Sequence, residues 1–342
     1  MSGNPAMLTL VTGATGLVGN NLIRHLLQLG RPVRALMFDD DESLRGLDIE
    51  RVAGDVRDPA DLKRAIEGVD IVYHLAAAIS IDDDHRRTHI DSINIEGTAN
   101  VVRACLDAGV KRLIHFSSIH ALSYFPKDDA IDESRALALD QARHLRYDHT
   151  KAVAETKVLE GVERGLDAVI LNPVGIFGPN DFVPSTGGEL LLQLARRELP
   201  GLVRSGFYWV DARDVVHAAL AAEERGRRGH RYILAGEYAT FEQIAKWVQQ
   251  ATGARPPLLN IPIWMAKAAV PLVVRLSRLN GHRPLFTSES VQIITCHQKI
   301  TTTKAAEELG FRPRPVRESV LDSINWLQGH FGSSTDAAAG KG

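Results

Sequence analysis

The stretch LTLVTGATGLVG, residues 8–19, decides the fold. A short apolar run leads into a turn that contains Gly13, Gly16 and Gly19, and the apolar residues from Leu17 onward recur with helical spacing. A backbone without Cβ atoms can approach a phosphate group closely, and the N–H groups at the start of a helix favour an anion. The segment therefore predicts a strand, a phosphate-binding turn and a helix in succession.

The same alternation continues through the first half of the chain. Short β-branched runs that alternate with helical patterns are typical of a parallel sheet with helical crossovers. The predicted strands are Leu8–Thr12, Val33–Phe38, Ile49–Ala53, Ile71–His74, Arg112–Phe116 and Ala168–Leu171, and the predicted helices are Leu17–Leu29, Ile90–Ala108 and Arg143–Arg164. We therefore predict an α/β fold with a doubly wound parallel sheet.

The pattern changes after Pro173, where loops rich in Gly and Pro begin. We predict a dinucleotide-binding domain at 1–172, rejoined by about 211–235, where a helix leads to the strand Tyr232–Leu234. A smaller, mostly helical substrate-binding lobe would comprise 173–210 and 236–331. The small and polar tail, 332–342, is predicted to be disordered.

Composition excludes several classes of function. The formal net charge of the 342 residues is −2 and the basic residues are dispersed, which argues against a nucleic-acid partner. Cys105 and Cys296 stand alone in apolar patterns, so we expect packing residues in a reducing compartment and no metal site. The N-terminus lacks a secretory pattern, which favours the cytoplasm.

One segment, Ile261–Leu279, is apolar enough to suggest membrane contact. Lys267, Pro271 and Arg275 interrupt it. We interpret it as a packed or lid helix, and we expect no integral membrane span.

The segment LRYDHTKAVAE carries Tyr147 and Lys151 four residues apart, so a helix projects both side chains from one face. A nearby ammonium group stabilises a phenolate and brings the tyrosine pKa toward the working pH. The strand RLIHFSSIHAL ends at Ser117 and Ser118, at the edge of the sheet where a cofactor would lie. A hydroxyl there can hold a substrate carbonyl in line with the phenol. Two adjacent serines leave the register open, so Ser118 and Ser117 are both candidates for the catalytic serine.

The spacing Gly-x-x-Gly-x-x-Gly, together with these residues, resembles the extended branch of the short-chain dehydrogenase/reductase superfamily, which includes the NAD-dependent epimerases and dehydratases. The segments SINIEGTANVVRAC, LNPVGIFGPND and YWVDARDVVHAAL extend the resemblance over nearly the whole chain. It implies a Rossmann-type sheet, catalysis by Ser118, Tyr147 and Lys151, and an adenine contact from Asp55. The implied cofactor contacts are Gly13, Thr15, Gly16, Leu17, Val18, Gly19, Asp39, Asp55, Val56, Leu75, Ala76, Ala77, Ser117, Tyr147, Lys151, Pro173 and Val174.

The choice between NAD and NADP depends on the end of the second strand. A carboxylate there binds the ribose diol, and an arginine binds a 2′-phosphate. Met37 and Phe38 occupy the two positions where the family usually carries those residues. The run DDDE from Asp39 would repel a phosphate, so we favour NAD, although Arg34 would favour NADP if it turned toward the pocket.

Neighbouring polar residues have less definite roles. Asn94 is expected either to support the active-site helix or to cap a helix. We interpret His74 and His115 as core or strand-end residues, and His120 as a candidate substrate contact.

The later segments most resemble the subgroup of dihydroflavonol reductases, 3β-hydroxysteroid dehydrogenases and hopanoid-associated sugar-epimerase-like proteins. The resemblance implies interconversion of a secondary alcohol and a ketone on a small, apolar ring substrate, steroid-like or flavonoid-like, without metal. Ile119 and His120 stand where the family's dehydratases carry a carboxylate pair, which argues against dehydration.

An NDP-sugar 4-epimerase with a transient keto intermediate is the alternative, for which Arg196, Arg197 and Arg204 would supply charge. A cofactor-binding regulator without chemistry is the third hypothesis. The aromatic residues Phe182, Phe207, Trp209 and Trp264 suit a flat apolar substrate better than a nucleotide sugar. The family also implies a homodimer, formed by a four-helix bundle of the helices near Ile90–Ala108 and Arg143–Arg164.

Overall fold

The computed structural model describes residues 7–38, 42–78, 90–127, 129–266, 268 and 299–331. Asp39, the tail at 332–342 and most of Ile261–Leu279 lie outside the described residues, so the predictions made for them stay predictions. The described strands are β1 Thr9–Thr12, β2 Val33–Met37, β3 Glu50–Ala53, β4 Ile71–His74, β5 Arg112–Phe116, β6 Ala168–Pro173, β7 Gly175–Phe177, β8 Gly201–Val203, β9 Gly206–Asp211, β10 Arg231–Leu234, β11 Tyr238–Thr240 and β12 Leu259–Ile261. The described helices are α1 Leu17–Gln28, α2 Pro59–Ile66, α3 Thr98–Ala108, α4 Arg146–Glu163, α5 Thr186–Arg196, α6 Ala212–Arg225, α7 Phe241–Thr252, α8 Thr303–Glu308 and α9 Val316–Phe331.

A seven-stranded parallel sheet forms the centre of the protein, in the order β10-β6-β5-β4-β1-β2-β3. The predicted α/β class with a doubly wound parallel sheet is confirmed. The order reverses between β1 and β4, and ligands bind at the carboxyl edge of open sheets at such a reversal. The carboxyl ends of β1, β4, β5 and β6 lie side by side at this edge.

Helices cover both faces of the sheet. Successive residues of a strand point to opposite faces, so each strand contributes side chains to both cores. Leu10 and Val72 face the core beneath α2, α3 and α4, whereas Val11 and Tyr73 face the core beneath α1 and α6. All four side chains are fully buried. The strands are therefore apolar on both sides, as expected for a parallel sheet.

The chain beyond β6 builds two smaller sheets, β11-β9-β7 and β12-β8, with α5, α7 and α9 packed nearby. Within this part, β10 returns to the main sheet and pairs with β6. Ion pairs join the return helix α6 to the C-terminal segment: Arg314 to Asp214 at 2.9 Å, and Arg213 to Asp322 at 2.7 Å.

Two helices near the sheet edge differ from their predicted limits. The segment predicted as one helix over Ile90–Ala108 contains a π-helical turn, Ser92–Gly97, before α3. Helix α4 begins at Arg146 rather than Arg143, because the Asp148 side chain accepts a hydrogen bond from the Leu145 backbone N–H and so caps the helix there.

The turn after β1 leaves no room for a side chain at Gly19. A Cβ atom there would lie 2.2 Å from the Gly13 carbonyl oxygen, whereas a Cβ at Gly16 would lie 3.5 Å from the same oxygen. Gly19→Ala should therefore lower the free energy of unfolding by about 2 kcal/mol, a usual cost of overpacking. Gly16→Ala should leave it nearly unchanged. Urea denaturation of both variants measures the difference, and equal stability of the two would contradict the close contact.

Candidate active site

The glycine turn lies against the end of β4. Gly13 has a φ of +68°, and a Cβ there would lie 2.6 Å from the Ala76 backbone nitrogen. The Ala76 N–H donates to the Thr12 hydroxyl at 3.2 Å, and the Leu75 N–H donates to the Thr12 carbonyl at 3.1 Å. The structure thus brings the predicted cofactor residues Gly13, Leu75 and Ala76 together.

The start of α1 fits an anionic group. Gly16 is exposed at the N-cap and provides no capping side chain, and the first turn carries no acidic residue. The open N–H groups and the helix dipole suit a pyrophosphate. On the same edge of the sheet, at the end of β5, the Ser117 hydroxyl is buried and has no hydrogen-bond partner among the described residues. A buried hydroxyl of this kind calls for a ligand or water, so the residues fit a bound dinucleotide.

The remaining predicted cofactor residues lie along the same edge. Leu17 and Val18 begin α1, Pro173 ends β6, and Val174 donates from its N–H to the Leu234 carbonyl. Thr15 lies in the turn, Ala77 follows β4 as an exposed residue, and Val56 is buried against Gly97. The Asp55 carboxylate, near the end of β3, accepts hydrogen bonds from the backbone and guanidinium group of Arg57, an interaction that the sequence analysis did not predict.

Tyr147 and Ser118 meet at the carboxyl end of β5. Tyr147 is half-buried on the first turn of α4. Burial raises the pKa of Tyr147 to about 12, while the nearby Ser118 hydroxyl lowers it and the adjacent Asp148 charge raises it. The Ser118 side chain therefore lies close enough to the phenol to affect its ionisation.

Lys151 lies one helical turn after Tyr147 and is almost completely buried. Its ammonium group donates to the Phe116 carbonyl oxygen at 3.0 Å. Burial lowers the pKa of Lys151 to about 8, and the negative charge of Glu155 opposes this effect. In this structure Ser118, rather than Lys151, is the group that lowers the Tyr147 pKa.

A buried polar network that the sequence analysis missed lies behind these groups. Asn172 on β6 donates from its side-chain amide to the Ser118 carbonyl oxygen at 2.9 Å and to the Glu155 carboxylate at 2.5 Å. Arg231 on β10 forms an ion pair with Glu155 at 3.1 Å. Because Glu155 has no exposed surface, this ion pair and hydrogen bond compensate the cost of burying its charge. The sequence offers no signal for the network, since its members come from three separate elements.

Asn94 supports the active-site helix rather than capping a helix. Its amide accepts from the Ala78 N–H at 2.8 Å and donates to the Ala78 carbonyl at 3.0 Å. The same amide donates to the Thr150 hydroxyl on α4 at 3.1 Å. One side chain therefore connects the chain beyond β4 to the helix that carries Tyr147.

A row of aromatic rings continues from Tyr147 into the second part of the chain. The His120 ring lies 5.7 Å from the Tyr147 ring and stacks on Phe207 at 6.1 Å, and Phe207 meets Trp209 edge-on at 5.9 Å. Trp209 stacks on Phe177 at 4.1 Å. Of the aromatic residues considered for a flat substrate, Phe207 and Trp209 belong to this row.

Phe182 and Trp264 have other surroundings. Phe182 packs edge-on against Trp326 and His330 of α9, at 4.9 and 5.0 Å. Trp264 is 71% exposed. Neither shares a ring contact with the Tyr147 row among the described residues.

His74 and His115 are core residues, as predicted. Both are buried, with ring centroids 5.3 Å apart. His74 is hydrogen-bonded to the hydroxyls of Thr12 and Thr98, and burial lowers its pKa to about 3. Burial also lowers the pKa of His115, and the nearby Lys151 charge adds to the effect. Both histidines are therefore neutral at physiological pH.

Among the residues that the structure describes, no group of His, Cys, Asp and Glu side chains has the arrangement of a metal site. No helix among them combines the length and the hydropathy that crossing a bilayer requires.

The chain is similar to known proteins over most of its length. Residues 10–222 match the model of the 3-beta hydroxysteroid dehydrogenase/isomerase family. Sterol demethylase protein B of Methylococcus capsulatus is 36% identical, over 94% of this chain and 98% of that protein. A putative dihydroflavonol 4-reductase of Synechocystis is 32% identical, over 94% of both chains. The crystal structure of gox2253 superimposes with a TM-score of 0.82 at 34% identity and covers 95% of this chain and 98% of that chain.

The glycine turn at the sheet reversal and the paired Tyr147 and Ser118 are the arrangement expected for an NAD(P)-dependent dehydrogenase or reductase of the extended short-chain type. The family match and the relatives support this class over most of the chain. The chain belongs to the 3-beta hydroxysteroid dehydrogenase/isomerase family.

Proposed function

We propose that this protein interconverts a secondary alcohol and a ketone on a small, apolar ring substrate, with Tyr147 as the general acid and base. The observation that carries the proposal is the proximity of Tyr147 and Ser118 at the carboxyl edge of the sheet, where the Ser118 hydroxyl lowers the pKa of the phenol. A phenol and a hydroxyl that lie close together can both reach one substrate oxygen. When bound, the nicotinamide supplies the hydride acceptor or donor and, in its oxidised form, a positive charge beside the site.

The residues of the chain divide the remaining work. Tyr147 gives a proton to the ketone oxygen during reduction and takes one from the alcohol during oxidation. Ser118 holds the same oxygen and stabilises the charge that develops on it. We assign to Lys151, one turn away on the same helix face and bonded to the Phe116 carbonyl, the stabilisation of the phenolate that forms during the reaction.

The aromatic row favours an apolar ring substrate. Phe207 is 6% exposed and forms a flat apolar wall next to His120 and Tyr147. The names of the two relatives refer to a sterol and to a dihydroflavonol, both of which are fused or linked ring compounds. A steroid-like or flavonoid-like substrate is therefore our first choice.

A sugar epimerase is the alternative, and it needs cations to bind a diphosphate. Arg196, Arg197 and Arg204 are all exposed. Arg197 also caps the end of α5 in a left-handed conformation, with a φ of 58°. These cations lie on the surface rather than in the aromatic row, which is why we prefer the dehydrogenase or reductase.

We further propose NAD as the preferred cofactor. Arg34 donates to the Ala65 and Glu67 carbonyls at the end of α2 and forms an ion pair with Glu50. Arg34 is therefore not positioned to bind a 2′-phosphate. Arg57, whose guanidinium lies 5.7 Å from the Phe38 ring, is neutralised by Asp55.

The homodimer is likewise a proposal. Helices α3 and α4 pack against each other, and a second copy would pair with them in a four-helix bundle. Mass measurement in solution tests it, and a monomer at micromolar concentration would contradict it. The cytoplasmic location expected from the sequence stays a prediction.

Tyr147→Phe should reduce turnover by about 10²- to 10⁴-fold, the usual contribution of general acid and base catalysis, and leave dinucleotide affinity nearly unchanged. Tyr238→Phe is the matched control, because Tyr238 is 44% exposed and lies outside the aromatic row. Reduced-nicotinamide absorbance and fluorescence titration measure turnover and binding. Wild-type turnover in Tyr147→Phe would remove the proposed proton transfer.

A substrate screen should show net oxidation of reduced nicotinamide with ketosteroids or flavonoid-type ketones, with a higher kcat/KM for NADH than for NADPH. An epimerase returns its hydride within one cycle, so it would convert a nucleotide sugar without a net change in absorbance. Product analysis by chromatography detects that conversion, and finding it without net oxidation of any ketone would favour the epimerase.

Glu155→Gln should lower the pH above which kcat/KM for ketone reduction decreases. Lys151 is charged below its pKa of about 8 and loses its charge as the pH rises through that value. Removing the Glu155 charge lowers the Lys151 pKa further, so the falling limb of kcat/KM should move down by about one pH unit. Glu163→Gln, at the exposed end of α4, is the control and should leave the limb in place. An unmoved limb in Glu155→Gln would show that Lys151 ionisation does not limit reduction.

A further inference from the structure

His120 lies between a buried carboxylate and the proposed catalytic tyrosine. Its Nδ1 atom is 3.1 Å from Oδ1 of Asp148, and its ring meets the Tyr147 ring edge-on at 5.7 Å. Phe207 stacks against the His120 ring with an angle of 8° between the planes. The imidazole therefore lies in contact both with the Asp148 carboxylate and with an aromatic neighbour.

The Asp148 carboxylate acts directly on Tyr147. Asp148 follows Tyr147 in α4, has no exposed surface, and accepts at Oδ2 from the Leu145 N–H at 3.2 Å. Its negative charge raises the pKa of the Tyr147 phenol. A carboxylate needed to cap the helix thus opposes formation of the phenolate that oxidation of an alcohol requires.

Few other charged groups face this pair. Lys151 is held at the Phe116 carbonyl, and Arg146 forms an ion pair with Asp91 near the surface. Ser118 lies near the phenol and lowers its pKa, and Glu155 is paired with Asn172 and Arg231. Among the residues that the structure describes, His120 is the ionisable side chain that meets Asp148.

We propose that His120 is a positioning residue that acts on Tyr147 through Asp148: by holding the carboxylate at Nδ1, it withdraws negative charge from the phenol and favours the phenolate. The inference rests on the proposed role of Tyr147. It assigns to His120 an electrostatic role beyond the substrate contact expected from the sequence.

Three substitutions and their combination test the proposal. His120→Phe keeps an aromatic ring but loses the N–H, so the Tyr147 pKa should rise by about one unit. Asp148→Asn keeps an acceptor for the Leu145 N–H but removes the charge, so the Tyr147 pKa should fall by a similar amount. His120→Asn retains an N–H donor and should partly restore the wild-type value. The double variant His120→Phe/Asp148→Asn should match Asp148→Asn alone.

Two measurements report the Tyr147 ionisation. One is the midpoint of the rising limb of kcat/KM for alcohol oxidation. The other is NMR of protein with ¹³Cζ-labelled tyrosine at saturating NAD, in which the resonance of one of the six tyrosines is assigned to Tyr147 by its loss in Tyr147→Phe. The second measurement needs no substrate. Thermal melting checks that each variant folds.

His149→Asn is the matched control, because His149 lies next to Asp148 on α4 but contacts the Leu139 carbonyl. It should move neither midpoint. Opposite shifts for His120→Phe and Asp148→Asn, with no additional shift in the double variant, support the proposal. The proposal is overturned if His120→Phe and Asp148→Asn shift the Tyr147 pKa in the same direction or not at all. It is also overturned if His120→Phe shifts this pKa equally in the wild-type protein and in Asp148→Asn. A higher KM without a pH shift would indicate a direct substrate contact instead. Failure of the proposed function would appear separately, as wild-type turnover in Tyr147→Phe.

Discussion

The close approach of the Gly13 backbone to the end of β4 is the constraint on which the site depends. A side chain at position 13 would collide with the Ala76 backbone, and one at position 19 would collide with the Gly13 carbonyl. The turn can therefore pass close to the end of β4, at the point where the strand order reverses, and leads directly into α1. Because parallel strands end at a common edge, Ser117 and Ser118 lie on the same edge as that turn, two strands away.

The features predicted from the sequence are those that depend on residues close together in the chain. Three glycines at a strand end indicate a turn, and a tyrosine four residues before a lysine indicates a shared helix face. The choice of Ser118 over Ser117 is consistent with the proximity of Ser118 to Tyr147, while the Ser117 hydroxyl lies buried at the cofactor side. The predicted strands begin and end within two residues of the observed strands, because apolar runs and glycines indicate where a strand begins and ends.

The parts that escaped prediction depend on contacts between distant segments. Nothing local indicates that Asp148 is fully buried, that Asn172 bonds the serine loop, or that Asp55 is occupied by Arg57. The same limit explains Phe182, whose aromatic character suggested a substrate contact but which packs on α9. Whether a charged side chain is buried depends on the tertiary structure. The position of the group that pairs with it determines whether the buried charge is tolerated.

The Arg231 ion pair has a consequence for how the molecule assembles. Arg231 belongs to β10, which joins the edge of the main sheet only after the chain has built β7 to β9 and α6. Until that strand pairs with β6, the Glu155 carboxylate on α4 lacks its ion-pair partner Arg231. The charges around Lys151, which Glu155 influences, are therefore complete only when the seventh strand of the main sheet has paired with β6. The surroundings of the proposed catalytic lysine thus depend on a strand that follows β7 to β9 in the chain.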